Sequence, residues 1–259
     1  MIDSMSMMDS SARRFGGIAR LYGEGAPLLL ETKHVCVIGI GGVGSWAAEA
    51  LARSAIGRLT LIDLDHVAES NLNRQIHALE GTLGQAKVQA MRERIASINP
   101  ACRVATIEEF VTVENAASLI PDCDMVVDAI DQVRPKAALI AHCRATGIPV
   151  VTTGGAGGKA DPALIRIDDL ARTSHDPLAA KLRSALRKEY GFPREPGKNF
   201  GIECVYSLEP IRRPEAAACD IDEPGLHGLS CAGYGSSVCV TAAFGFAAAS
   251  RVLVRFAGI

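Results

Sequence analysis

Val35-Cys36-Val37-Ile38 runs directly into Gly39-Ile40-Gly41-Gly42-Val43-Gly44, and an Ala-rich helical pattern continues to Ser54. Leu59-Thr60-Leu61-Ile62 comes next, closed by Asp63-Leu64-Asp65. Apolar strand, glycine turn, helix, second strand and acid together form the dinucleotide-binding fingerprint. The glycines at 39, 41, 42 and 44 permit a tight turn and let backbone N–H groups approach phosphate at a helix N-terminus. The acid stands roughly 20 residues beyond the turn, where ribose hydroxyls are held. The fold this predicts is α/β: a Rossmann-like, doubly wound, mostly parallel sheet with helices on both faces.

The following residues decide which nucleotide is meant. Asn71-Leu72-Asn73-Arg74-Gln75 is a polar run, and Gly84-Gln85-Ala86-Lys87 closes the block. An NAD-dependent oxidoreductase needs the acid after its second strand but has no use for this cluster. No Tyr-x-x-x-Lys catalytic pattern occurs either. Arg and Lys are what a polyphosphate requires, for charge stabilisation and for neutralising a leaving group. The block reads as a site for a nucleoside triphosphate.

Asp63-x-Asp65, Ser70-Asn71-Leu72-x-Arg74-Gln75 and Gly84-x-x-Lys87 behind a GxGGxG turn resemble the ubiquitin-activating-enzyme-like adenylation family. Within it, the run from Arg14 to Gly23 (RFGGIARLYG) is similar to the tRNA threonylcarbamoyladenosine dehydratase branch. So are Cys231-x-x-Tyr234-Gly235-Ser236 and Thr241-Ala242-x-Phe244-Gly245-Phe246. The resemblance runs from about residue 14 to about residue 251 and is most diffuse between 169 and 224. It implies ATP over the glycine turn with Asp63 on the ribose, and Asp65 ranked behind it as a turn cap. Arg74 and Lys87 face the polyphosphate, while Asn71, Gln75 and Asp131 orient phosphate and Mg2+, with Asp131 as the metal ligand.

The reaction implied is attack of a carboxylate on the α-phosphate, giving an acyl-adenylate and pyrophosphate. In this branch the carboxyl is that of the threonyl group in the tRNA anticodon loop, and the carbamoyl group then closes a ring with net loss of water. Cys231 lies just before a predicted helix start, a setting that lowers a thiol pKa. It is a candidate for a transient thioester or for accepting sulfur from a cysteine desulfurase. The resemblance also implies a homodimer; whether a monovalent cation binds stays open. Two other readings compete: an adenylyltransferase for a ubiquitin-like sulfur carrier, and a non-catalytic partner in a sulfur relay.

Bulk properties narrow the field. In 259 residues, 48% hydrophobic and 22% charged composition is that of a globular protein. A net charge of −2 argues against a long, non-specific DNA-gripping surface but leaves room for a local basic patch toward a structured RNA. None of the eight cysteines forms a C-x-x-C pair, so no zinc is expected, unlike many sulfur-carrier-activating relatives. Cys36, Cys143 and Cys239 sit in apolar patterns as small buried hydrophobes. Scattered thiols suit a reducing cytoplasm, and no secretory signal opens the chain. The apolar run Val238–Val254 reads as a buried core helix rather than a membrane anchor.

Along the chain, residues 1–12 are expected to be disordered and 13–259 to form one adenylation domain. Its parts are a nucleotide-binding core at 30–160, a crossover, lid and substrate region at 161–235, and a closing helix at 236–255. Residues 13–30 read as a helical arm. Relatives use an Arg-aromatic-x-Arg arm to send an arginine into a neighbouring subunit; Arg14-Phe15-Gly16-Gly17 departs from that motif, leaving Arg14 or Arg20. Further helices are predicted at 87–98, 113–120, 133–146 and 177–190. Strands are predicted at 102–107, 125–130 and 150–153, with a late antiparallel extension around Ile165 and Cys204. Asp131 falls beyond a strand's carboxyl end, where ligands bind in open parallel sheets, and Asp128 inside the strand as a structural acid. The glycine loop 154–159 reads either as a substrate-facing loop or as a hairpin tip. The basic helix with Lys181, Arg183, Arg187 and Lys188 is the candidate for tRNA backbone contact, against a solvated charged face.

Overall fold

The computed structural model describes residues 4–212 and 234–259, with side chains from Arg13 onward. Cys231, with the rest of residues 213–233 of the predicted crossover, lid and substrate region, lies outside the described residues.

Seven strands form one sheet in the order β3-β2-β1-β4-β5-β7-β6. They are β1 (His34–Ile38), β2 (Arg58–Ile62), β3 (Arg103–Ile107), β4 (Met125–Asp128), β5 (Val150–Thr153), β6 (Ile165–Asp169) and β7 (Glu203–Ser207). Every neighbouring pair is parallel except β6 with β7, whose register runs from Ile165 opposite Ser207 to Asp169 opposite Glu203. The doubly wound sheet and its antiparallel extension are thus as the sequence predicts.

All five residues of β1 are buried, as expected when helices cover both faces. The two-residue strand period divides them: Val35 and Val37 join one core, Cys36 and Ile38 the other. The first core is closed by α3 (Gly44–Ala52), α4 (Lys87–Ile98) and α8 (Val238–Ala257). The second lies under α5 (Ala116–Leu119), α6 (Val133–Thr146) and α7 (Pro177–Glu189). Val240, Phe244, Ala248 and Val252 recur every four residues along α8 and are fully buried, so this long apolar helix is part of the core. α6 stops at Gly147, which takes the left-handed conformation (φ 76°) that glycine tolerates best.

Three expectations are corrected. The N-terminal helix α1 begins at Ser4 and runs to Tyr22, so residues 4–12 are helical rather than disordered; no Gly or Pro interrupts the chain before Gly16. The arm is two helices, α1 and α2 (Ala26–Glu31), divided where Gly23 adopts φ 106°. Cys239 is exposed on the outer side of the first turn of α8, whereas Cys36 and Cys143 are buried.

The sheet order reverses between β1 and β4, because the chain winds outward from β1 to β3 and returns to pair β4 on its other side. This switch point opens a crevice at the carboxyl ends of the strands. The glycine turn, Asp63 and Asp131 all leave strands at that end.

Candidate active site

The glycines of the turn do different jobs. Gly39 has φ 83°, and a Cβ there would meet the carbonyl oxygen of Ala129 at 2.9 Å. A Cβ on Gly44 would lie 1.9 Å from the carbonyl oxygen of Gly39. Both glycines are therefore explained by packing strand against helix. Gly41 is different: its φ is ordinary and a Cβ there would meet nothing within 4 Å. The protein's own packing gives no reason for glycine at 41, and a ligand lying against the backbone does. α3 starts beside it with no side chain capping its N-terminus; the Ser45 N–H is donated to the Gly41 carbonyl at 3.2 Å, so an anion there would meet the N–H groups of the turn ahead of it. Gly41→Ala is expected to leave the melting temperature within about 2 °C while weakening ATP binding. Gly44→Ala should destabilise the fold by about 1–3 kcal/mol or more. Thermal unfolding and calorimetric titration with ATP, run on both variants, separate the two effects.

Each of the two acids after β2 has its own partners. Asp63 caps the turn: its Oδ2 accepts from the Ile40 N–H at 2.6 Å and its Oδ1 from the Asp65 N–H at 2.9 Å. Burial pushes its carboxyl pKa up, opposed by the charge of Lys87. Asp65, predicted as the cap, instead accepts from the Lys87 ammonium at 2.7 Å. Lys87 is the first residue of α4 and is buried, while the Asp65 side chain is 50% exposed.

Arg74 packs over the turn. The nearest side-chain atoms to a Cβ on Gly42 would be Cγ2 of Thr241 at 3.3 Å and Cδ and Cγ of Arg74 at 3.4 Å. The guanidinium donates to the Ser70 carbonyl at 2.5 Å and to the Asn73 side chain at 2.9 Å, with no carboxylate partner among the described residues. Burial lowers its pKa from the ordinary guanidinium range. Its backbone carbonyl accepts from the Trp46 indole at 2.9 Å, a tether with no signal in the sequence. Asn71 turns inward: its Oδ1 accepts from the Ala68 N–H at 3.1 Å and closes the short 3-10 turn Glu69–Asn71. Gln75 is buried with its side-chain oxygen unpartnered among the described residues.

Asp131 is half-buried just past β4 and makes no hydrogen bond or ion pair among the described residues. The pair beneath it was not foreseen as a unit. The Lys136 ammonium, fully buried, lies 2.9 Å from Oδ2 of Asp128 and donates to the Ile130 carbonyl at 2.9 Å. Asp128 also accepts from Thr152 Oγ1 at 2.7 Å and from the Ile130 N–H at 3.1 Å. Both backbone polar groups of the residue preceding Asp131 are thereby held.

Other candidates fall elsewhere. The loop 154–159 follows a strand whose next neighbour is parallel, so it is not a hairpin tip. Asp176 accepts from the Gly155 N–H at 2.9 Å, and the buried Lys159 ammonium donates to the Ser207 carbonyl at 3.2 Å, pinning the loop at both ends. Arg14 donates to the Ile98 carbonyl at the end of α4 of its own chain. No cluster of three or more metal-ligating side chains occurs among the described residues. Burial holds the Cys36 and Cys143 thiols well above their ordinary range, Cys143 at about 12.

His77 follows the Arg74 segment, buried, with neither ring nitrogen hydrogen-bonded among the described residues. Burial, then the charges of Lys87 and Arg94, lower its pKa to about 4. An unfolded chain protonates this imidazole near pH 6.5 while the native fold keeps it neutral. Its contribution to stability is complete above pH 6.5 and is lost as pH falls toward 4, by about 3 kcal/mol in total. Chemical denaturation at pH 7 and pH 4 checks this, and His77→Phe should flatten that part of the pH dependence.

The contacts converge. Lys87 reaches Asp65, Asp65 reaches Asp63, Asp63 reaches Ile40, and Arg74 lies over Gly42. A buried lysine and a half-buried arginine thus border an open glycine turn at an uncapped helix N-terminus, which is the arrangement of an ATP-dependent adenylating enzyme. The chain belongs to the ThiF family, whose pattern matches residues 17–254. It is similar from end to end to the tRNA threonylcarbamoyladenosine dehydratase of Escherichia coli K12, at 51% identity over 97% of this chain and 96% of that protein. The Haemophilus influenzae dehydratase is 47% identical over 97% of this chain and 96% of its own length. The solved structure of the E. coli dehydratase with ATP superposes with a TM-score of 0.84 at 50% identity, covering 95% of this chain and 94% of that one.

Proposed function

We infer that this protein catalyses the ATP-dependent dehydration of N6-threonylcarbamoyladenosine in tRNA. The carrying observation is a full-length likeness to the dehydratases combined with two cations bordering a glycine turn open to ligand. Lys87 and Arg74 offset the negative charge that builds on the phosphates as the threonyl carboxylate attacks the α-phosphorus. The bond from that phosphorus to the bridging oxygen breaks, and pyrophosphate leaves. The carbamoyl group then attacks the activated acyl carbon, AMP departs with the former carboxylate oxygen, and a ring closes. The water lost from the base is thus carried away in AMP and pyrophosphate.

The free carboxylate of Asp131 suits Mg2+, which prefers one or two carboxylates together with phosphate oxygens. Bound there, the ion would supply further neutralisation of the leaving group. The sequence leaves open a monovalent cation and a role for Cys231 with a sulfur-donating partner. Buried, unpaired thiols favour a cytoplasmic protein. Exposed Leu21 and Leu28 on the N-terminal arm favour a homodimer that covers them.

The test is ATP turnover to AMP and pyrophosphate with and without tRNA bearing the uncyclised base, with nucleoside mass analysis of the same tubes. AMP release that requires this tRNA, with the base lighter by one water, is the expected result. AMP formation only with a small carrier protein, or none at all, overturns the reading.

A further inference from the structure

A concave basic surface lies away from the nucleotide turn. It is an open concavity of about 550 Å³, and its lining includes Arg144, Arg187, Lys188, Arg194, Glu195 and Lys198. Three separate segments bring these cations together: the last turn of α6, the last turn of α7 and the loop that follows α7. Gly191 (φ 65°) and Gly197 (φ 80°) turn that loop back, and the buried rings of Phe192 and Phe200, in edge contact at 5.1 Å, anchor it.

Two of the guanidiniums are held by stacking rather than by acids. Arg144 lies 4.3 Å from the centroid of the Phe192 ring and Arg187 lies 5.1 Å from that of Phe200. Stacking orders the guanidinium while leaving terminal N–H groups for a planar anion; the Arg187 Nε–H is itself donated to the Pro193 carbonyl at 3.1 Å. None of the five cations forms an ion pair with a carboxylate among the described residues, and Glu195 is the one acid in the lining. The ordinary explanation, cations complementing helix C-termini, covers Arg144, Arg187 and Lys188, and also Arg194, whose Nη2 donates to the Arg187 carbonyl at 3.2 Å, but not Lys198 on the loop. It also does not explain why five cations share the lining with one acid, Glu195, whose carboxyl feels the Lys198 charge, on a chain whose net charge is −2.

We propose that this groove is a docking site for the phosphodiester backbone of the tRNA substrate, a proposal that rests on the dehydratase reading above. The structure also selects among the residues of the basic helix. Arg187 and Lys188 line the groove, whereas Arg183 donates to Thr173 and Lys181 is not part of the lining. α6 crosses from the Asp131 end of the sheet to the groove, so the groove lies at the end of the sheet opposite the nucleotide turn. From Val133 to Arg144 the helix rises roughly 17 Å. A tRNA arm is longer than this, so its modified base can enter the turn while its stem lies along the groove. Double-stranded RNA is recognised mainly through its backbone and shape, which the groove's charge and concavity fit.

The test uses the full chain carrying Lys188→Ala, Arg194→Ala and Lys198→Ala together, three exposed positions whose loss leaves the core untouched. Filter binding of tRNA is measured against salt concentration, alongside steady-state AMP formation. At ~0.15 M salt the triple variant is expected to raise the KM for tRNA by about 10-fold or more, with kcat within about twofold of the unaltered protein. Its log–log salt slope should be shallower by about 3. An unchanged KM and an unchanged slope would overturn the groove. Should the unaltered protein bind tRNA but make no AMP, the dehydratase reading fails while the salt slope still decides the groove. If it does not bind tRNA at all, both are overturned.

Discussion

Lys87→Met is expected to lower tRNA-dependent AMP formation by about 10²–10³-fold without unfolding the protein. The first half of this expectation follows from where the ammonium sits. It is buried at the first residue of α4, 2.7 Å from an Asp65 carboxylate that is itself half exposed. A cation so placed keeps much of its attraction for a phosphate ligand, because surrounding protein replaces the water that would screen it. The second half follows from the partner. Once Lys87 is gone, water can solvate Asp65 at its exposed side, so the structural loss is of the order of an exposed ion pair, about 1 kcal/mol or less. Single-turnover AMP formation and a thermal melt on the same preparation check both. A variant with full activity would remove Lys87 from the reaction. A variant that does not fold would mean that the ammonium is there for the core.

Lys136→Met should behave in the opposite way, with a large loss of stability. Both partners of this pair are fully buried, and the ammonium is shared among the Asp128 carboxylate and the carbonyls of Asp128 and Ile130. Removing the lysine leaves a carboxylate in the core with only Thr152 and the Ile130 N–H to stabilise its charge. Such one-sided loss costs about 3–5 kcal/mol, which for a chain of this size lowers the melting temperature by roughly 10 °C. Lys136→Met/Asp128→Asn, which leaves no buried charge, should recover more than half of the loss. Equal stabilities of the single and double variants would show that the pair contributes little beyond packing. Because the pair holds both polar groups of Ile130, activity in the single variant should fall further than stability alone explains.

The sequence alone was enough for the architecture around the site. The GxGGxG turn, its flanking apolar strands and the residues from Asp63 to Lys87 lie within 53 consecutive positions, so local pattern and spacing carry their meaning. The antiparallel extension was legible as well, because Cys204-Val205-Tyr206 is an apolar run and Ile165-Arg166-Ile167 alternates at the strand period. The limits fell where local pattern carries no information about direction. Asp63 and Asp65 stand two positions apart with the same side chain, and only the path of the backbone after β2 decides which one meets the Ile40 N–H and which one meets Lys87. Cys239 reads as apolar by composition but starts α8 on its outer side.

Long-range contacts were beyond reach for the same reason. Trp46 and Arg74 are 28 positions apart, and Thr152 and Asp128 are 24 apart. The five cations of the groove come from stretches of chain that meet only when α6 and α7 pack side by side. What the sequence by itself determined is the class of fold and the chemistry of the nucleotide turn, since these rest on residues that are neighbours along the chain. Which carboxylate caps, which glycine faces ligand, and where positive charge collects were decided by tertiary packing, because burial and separation in space are properties of the folded chain alone.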